Sequence, residues 1–430
     1  MSFLGGQSIG RVVNQTQHSG GMQPLANAPA SFAVTAVVPP GLEEAAAAEL
    51  TRLGAADVRP LRRAVACRTD LTGLYRLHLQ ARLPFRFLRE LARFPCHDRY
   101  SLERGVQGAI DWQQWLPPDR RFKVEATGSL PELNHSHYTA LQVKNAVVDL
   151  QRELWGARSS VDLDDPDLSL HVHLSPGSRA PGSNGGSLAI LSLDGGGGSS
   201  LHRRGYRSAM GLAPLKENLA AGLIALTGWD GRVPLVDPLC GSGTLLIEAT
   251  CMALGRAPGL LAGTATGAPQ PRRFGLERWP DFDAALWEQE LQAAHDLARD
   301  TLADGTPLAP VIGVERDPQV LAQARANVEA AGLEDWIQLE LGDARDVVPP
   351  QQPGVLVCNP PYGARLGAEE DLEGLYGDLG AALKQRCSRW TLWLLSGNPE
   401  LTGALRMKAS RRIPVSNGGI DCRWLRYDIR

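Results

Sequence analysis

The run Asp237-Pro238-Leu239-Cys240-Gly241-Ser242-Gly243-Thr244 sets two glycines between a short apolar segment, PLVDP, and a helical stretch, Leu245–Leu254. Glycine lets a backbone turn sharply and lets a ligand approach closely. Amides at the start of the following helix can face polar or anionic groups. Leu246 stands where a G-x-G-x-x-G dinucleotide fingerprint needs its third glycine, and no Lys follows the last glycine as in a phosphate-binding P-loop. Alone, the segment reads equally as a tight strand-to-helix turn. Two acids follow at the ends of later strand-like runs. Glu315 closes VIGVE, where a carboxylate can accept two hydroxyl hydrogen bonds from a ribose. Asp343 follows IQLEL and could receive the amino group of an adenine. Singly, each acid also reads as a cap or turn residue, and Asp317 is expected to cap a helix from Pro318 that Gly332 ends. Asp237, Glu315 and Asp343 at successive strand tips make a ligand-binding row the more coherent reading.

Asn359-Pro360-Pro361-Tyr362-Gly363 ends the apolar run GVLVC. Two prolines hold the backbone extended. The Asn359 side-chain oxygen and the Pro360 carbonyl could then accept both hydrogens of one exocyclic NH₂ group and leave its lone pair free for an electrophile. Tyr362 would stack on the base. As a plain turn, N-P-P-Y-G is also admissible.

These residues need a scaffold of parallel strands. The runs PLVDP (234–238), VIGVE (311–315), GVLVCNPP (354–361) and TLWLLS (391–396) alternate with helical stretches, the pattern of a parallel sheet with crossover helices. Asn417-Gly418-Gly419 before IDCRWLRYDI predicts a closing hairpin. Upstream, Phe32–Val38 reads as a strand and 42–53 as a helix. Residues 71–94 read as an amphipathic helix interrupted at Pro84. Strands are expected at 121–126 and 168–174, with a helix over Tyr138–Trp155 between them. Residues 1–30, rich in Gly, Ser, Gln and Asn, are expected to be a disordered tail. The Gly/Pro/Ser-rich 175–187 segment and Gly195–Gly198 put the main boundary near 195–200.

The 430 residues are 43% hydrophobic and 21% charged, an ordinary globular balance with room for two or three domains. No apolar run has the length of a membrane helix. The seven Cys form no C-x-x-C pair, which argues against a disulfide framework or thiolate zinc site and fits a reducing cytosol. No His/Asp/Glu grouping has metal-ligand spacing; His135 and His137 read as loop residues facing solvent or RNA. The net charge is only −3, yet Arg59 to Arg104 holds eleven Arg against four acids, a local charge of +7. Such a cluster, with His202-Arg203-Arg204-Gly205-Tyr206-Arg207 and Arg406, Lys408, Arg411 and Arg412, would attract a phosphate backbone. A solvated face balancing the acids of 281–304 is the alternative.

DPLCGSGT, the strand-tip acids and NPPYG together resemble a class I, Rossmann-like S-adenosylmethionine-dependent methyltransferase. LHRRGYR…APLKENLAA and PPGLEE make the chain similar to the THUMP-domain RNA methyltransferases, and most to the bacterial L-type 23S rRNA guanine-N2 enzymes. The resemblance spans about residues 32–430 and one methyltransferase domain. It implies an α/β fold: a Rossmann-like sheet (201–430) preceded by an α+β module, ferredoxin-like over 31–66 and a THUMP RNA-binding domain over 67–175, with 176–200 as linker. It implies a cytoplasmic enzyme using S-adenosylmethionine on RNA, either 23S rRNA or a large-subunit precursor, with no membrane and no obligate protein partner. By the same resemblance Asp237, Cys240, Gly241, Ser242, Gly243 and Thr244 meet the amino-acid end of the cofactor. Glu315 holds the ribose and Asp343 the adenine, Asn359 borders cofactor and substrate, and Asn359, Pro360 and Tyr362 present the base. Glu315 stands where the family pattern has Asp, which lengthens the arm to the ribose. Adenine-N6 methylation and a catalytically silent ribosome-assembly factor are the competing readings.

Overall fold

A computed structural model describes residues 30–177, 186–207, 215–261, 272–361 and 371–430. The expected tail, but for Ala30, lies outside them, as do Tyr362 and most of the 175–187 segment.

The first half of the chain builds one eight-stranded sheet. Its strands are β1 (Phe32–Val37), β2 (Ala56–Leu61), β3 (Ala64–Thr69), β4 (Arg86–Pro95), β5 (Arg121–Gly128), β6 (Ser160–Val161), β7 (Leu168–Ser175) and β8 (Leu188–Asp194). They lie in the order β2-β3-β1-β4-β8-β7-β5-β6. Three expectations change here. The helix read over 71–94 stops at Gln80, and 86–95 is a strand paired with β1 on one side and β8 on the other. Pro84 cannot donate to a helix, and the two neighbours satisfy the strand's backbone. The boundary drawn between residues 66 and 67 cuts through β3. The 176–200 stretch is no linker, because β8 fills the slot between β4 and β7. His135 is the residue before the helix Ser136–Trp155, and His137 lies in its first turn rather than in a loop.

The second half forms a seven-stranded sheet from β9 (Leu235–Asp237), β10 (Val311–Glu315), β11 (Ile337–Leu341), β12 (Val355–Cys358), β13 (Thr391–Ser396), β14 (Arg411–Asn417) and β15 (Ile420–Asp428), ordered β11-β10-β9-β12-β13-β15-β14. The first five strands of that order are parallel to their neighbours; β15 runs antiparallel to β13 and pairs with β14 in the expected hairpin. Gly418 and Gly419 both have positive φ, as that tight turn requires.

The halves share a core. A Cβ on Gly222, in the helix Glu217–Thr227, would come within 2.2 Å of the buried Leu42 side chain, which would have to shift to make room. Asn218 donates to the Leu83 carbonyl at 2.9 Å. Arg82 and Arg204 are buried, and Arg82 donates to the carbonyls of Cys251 and Arg256. Arg204 donates to the carbonyls of Leu201 and Arg82, and its Nε lies 3.6 Å from the fully buried Glu248. Tyr206 donates to the same carboxylate. Arg76 pairs with Glu290 and Arg89 with Asp281, each at 2.6 Å. Arg86 spans Glu125 and Asp194. Much of the arginine cluster therefore holds protein to protein, and Arg82, Arg86 and Arg89 are not the phosphate contacts their charge suggested. The 255–310 stretch contributes the helix Ala284–His295, which packs on the helix Leu71–Gln80.

Removing one partner of a buried ion pair strands the other. Glu248→Ala is therefore expected to cost about 3–5 kcal/mol, read as a lowered urea midpoint for the full chain.

Candidate active site

The site residues come together because adjacent parallel strands end at one edge. β9 lies between β10 and β12, so chain connections leave it on opposite sides. Ligands of open α/β sheets sit outside the carboxyl ends of the strands at such a switch point. Asp237 is the last residue of β9 and Glu315 the last of β10. Asp343 lies two residues past β11, and Asn359 directly follows β12. The sequence placed all four at strand tips, and the sheet brings those tips side by side.

Gly241 and Gly243 adopt φ of +52° and +81°, a region where other residues are strained. A Cβ on Gly241 would meet nothing within 4 Å, so the turn opens onto free space. The helix Thr244–Ala253 starts with no side-chain cap, which leaves its first amides available to a ligand. Gly313 in β10 makes room beneath the turn: a Cβ there would lie 3.0 Å from the Cys240 sulfur. Cys240 itself is buried, and burial pushes its thiol well above the ordinary range.

Glu315 ties the turn to the neighbouring strand. One carboxylate oxygen accepts from the Gly241 amide at 3.1 Å and the other from the Asp317 amide at 2.9 Å. Asp317 caps the helix Pro318–Ala330 as expected. Asp237 is buried and accepts from the Leu239 amide at 3.1 Å. Burial, with the nearby Glu315 charge adding to it, pushes its carboxyl up to about 8. Asp343 is gripped by Arg345, which donates its own amide, Nε and Nη2 at 2.8–2.9 Å. That fork lowers the Asp343 carboxyl to about 2. A carboxylate has about four acceptor positions, so roughly one remains for an adenine amino hydrogen.

Asn359 Oδ1 is buried with no hydrogen-bond partner among the described residues. A buried acceptor left empty is costly, and its presence at a strand tip marks a place for an incoming donor. Beside it, Tyr376 donates to the Pro361 carbonyl at 3.2 Å and steadies the N-P-P backbone. Tyr362, expected to stack on a base, lies outside the described residues.

One supporting residue escaped the sequence reading. Arg207 donates at 2.9 Å to both Thr244 Oγ1 and the Leu215 carbonyl, with Glu217 at 3.7 Å. Its only signal was membership of the LHRRGYR cluster, which suggested nucleic acid instead.

An empty acceptor, a glycine cradle and a buried carboxyl at a switch point fit a nucleoside cofactor with a cationic amino-acid end. Fold and site together define a class I, Rossmann-like S-adenosylmethionine-dependent methyltransferase. The model for the RMKL-like methyltransferase domain matches residues 204–426, that for the THUMP domain 105–178, and that for the RlmL ferredoxin-like domain 33–88. The chain belongs to the RMKL-like methyltransferase family. It is 43% identical over 394 residues to “Putative RNA methyltransferase slr0064” of Synechocystis sp., covering 92% of this chain and 96% of that protein. It is 36% identical over 396 residues to the “Ribosomal RNA large subunit methyltransferase K/L” of Vibrio campbellii, covering 92% of this chain and 53% of that protein. The chain thus spans about half the length of its K/L relatives. The crystal structure “SMU.472, a putative methyltransferase complexed with SAH” superposes with a TM-score of 0.78 at 26% identity, over 93% of this chain and 98% of that one. Among the described residues no helix is long and apolar enough to cross a membrane.

Because Asp237 has a folded-state pKa raised from 3.8 to about 8, its protonated form is the one the fold favours. Without cofactor, the wild type should lose stability relative to Asp237→Asn as pH rises from about 4 to about 8. Below that window the two should respond to pH alike. Thermal midpoints of both proteins across this range check it.

Proposed function

We propose that the chain transfers the methyl group of S-adenosylmethionine to the exocyclic N2 of a guanine in 23S rRNA or a large-subunit precursor, in the cytoplasm. The observation that carries the reading is the buried Asn359 Oδ1, without a hydrogen-bond partner among the described residues, at the tip of β12 next to β9, the strand that leads into the glycine turn. The THUMP match and the names of the relatives support RNA as substrate.

The cofactor supplies a methyl sulfonium that is already electrophilic, so this chain's task is placement. Asp237 and the glycine turn hold the amino-acid end, Glu315 the ribose and Asp343 one amino hydrogen of the adenine. A paired guanine buries N2, so the base must leave its stack. Asn359 Oδ1 and the Pro360 carbonyl accept the two amine hydrogens and turn the lone pair outward. As positive charge grows on the nitrogen, the same two acceptors stabilise it, and the surplus proton leaves to solvent. An adenine N6 carries the same NH₂ group and is the second reading. Nucleoside analysis of rRNA methylated with labelled cofactor separates them: N2-methylguanine supports the proposal and N6-methyladenine overturns it.

Asn359→Ala should lower kcat roughly 10²–10³-fold and leave cofactor affinity by calorimetry nearly unchanged. Glu315→Ala should do the reverse. It removes charge-assisted bonds of roughly 1.5–3 kcal/mol each, so a weaker cofactor Kd is expected in the same calorimeter.

A further inference from the structure

A second cleft, of about 530 Å³, lies away from the strand tips, where the eight-stranded sheet meets the start of the helix Glu217–Thr227. Its walls come from the β2–β3 turn, β4, β5, β7 and the β14–β15 turn. Arg63, Arg86 and Lys216 line it with a single carboxylate, Glu125, giving a net charge of +2. Arg86 already neutralises Glu125 at 2.5 Å. The Arg63 and Lys216 side chains are exposed and form no ion pair among the described residues, while the Arg63 amide donates to Glu43 at 3.0 Å. Arg63 takes a left-handed φ of +61°, which favours glycine, at the two-residue turn between β2 and β3.

The interior of the cleft differs from a plain basic patch. Phe85 has the Lys216 ammonium 5.0 Å from its ring centroid and the His202 ring edge-on at 5.6 Å. His171, 5% exposed, lines the cleft and has a buried Nδ1 with no hydrogen-bond partner among the described residues. Its Nε2 meets Thr127 at 3.2 Å. Burial and the surrounding cations hold His171 and His202 down at about 4. Both rings are neutral near pH 7; His202 Nδ1 meets the Ser200 hydroxyl at 2.8 Å, so each ring has one nitrogen engaged and one left for a further bond. Two cations at the rim suit phosphates, while an aromatic face and neutral imidazoles suit a base.

We propose that this cleft binds one unpaired nucleotide of the RNA substrate, with Arg63 and Lys216 on its phosphates. The proposal rests on RNA being the substrate of the strand-tip site. Lys216 is one residue from Glu217, which contacts Arg207, and Arg207 holds Thr244 of the glycine turn. A strand held in the cleft is thereby anchored to the scaffold that positions the cofactor site.

The test uses the full chain, with Arg63→Glu/Lys216→Glu as the variant. Lys384→Glu/Arg389→Glu, at exposed positions outside the cleft and outside the basic clusters of the sequence, controls for net charge. Anisotropy of a fluorescein-labelled single-stranded RNA dodecamer is followed against salt, and methyl transfer is followed on rRNA from a strain lacking the gene. The cleft variant should weaken dodecamer binding about tenfold or more and reduce the log–log salt slope by roughly 1.4, two phosphates at about 0.7 each. KM for rRNA should rise, with kcat at saturating RNA and cofactor affinity unchanged. The milder Arg63→Gln/Lys216→Gln should shift binding the same way and guards against misfolding. Equal weakening in the control, or an unchanged salt slope, overturns the cleft. If the wild type methylates no RNA, the proposed function fails, while the anisotropy still decides whether the cleft binds RNA.

Discussion

Two buried arginines join the halves of this protein, and the geometry of everything else follows from them. Arg82 enters the second half to hold the carbonyls that end the helix behind the glycine turn, and Arg204 returns to hold the Arg82 carbonyl. A guanidinium cannot give up its charge. In a dry interior it must find its acceptors in fixed positions or the structure opens. The RNA-binding half is thus no pendant module, since its orientation toward the strand tips is fixed by the same bonds that complete the core.

That joint also explains how charge misleads in this chain. By count, 59–104 is its most basic segment. Yet Arg76, Arg82, Arg86 and Arg89 are consumed by Glu290, main-chain carbonyls, Glu125 with Asp194, and Asp281. The acids of 281–304 were the bland alternative, and for two of these pairs they are the partners. Electrostatic attraction to nucleic acid falls to arginines and lysines that have no such partner, which charge counting cannot identify.

What was legible in the sequence was local. The strand tips Asp237, Glu315 and Asn359, the Asp317 cap and the Asn417 hairpin each follow from a few neighbouring residues. The misreadings are non-local. Residues 86–95 carry Phe87, Leu88 and Leu91 at helical spacing, and only β1 and β8 on either side, distant in sequence, make them a strand. For the same reason β8 hid inside an apparent linker. Within the site, the Arg345 fork on Asp343 lay two residues away, yet its geometry depends on the short turn after β11. The Glu315 bond to the Gly241 amide joins residues 74 apart and left no trace in spacing.

On the proposed function, the Asn359 oxygen would work as a filter as well as an anchor. It offers only lone pairs, so whatever rests against it must bring a hydrogen. A uracil or a hypoxanthine turning its keto edge toward β12 would set oxygen against oxygen. Rejection by an unmet buried acceptor is steep, because the wrong partner leaves two polar groups stranded rather than one bond missing. On that proposal, selectivity for an amine over a carbonyl would rest on one amide at the end of one strand, before any contact that distinguishes one amine-bearing base from another.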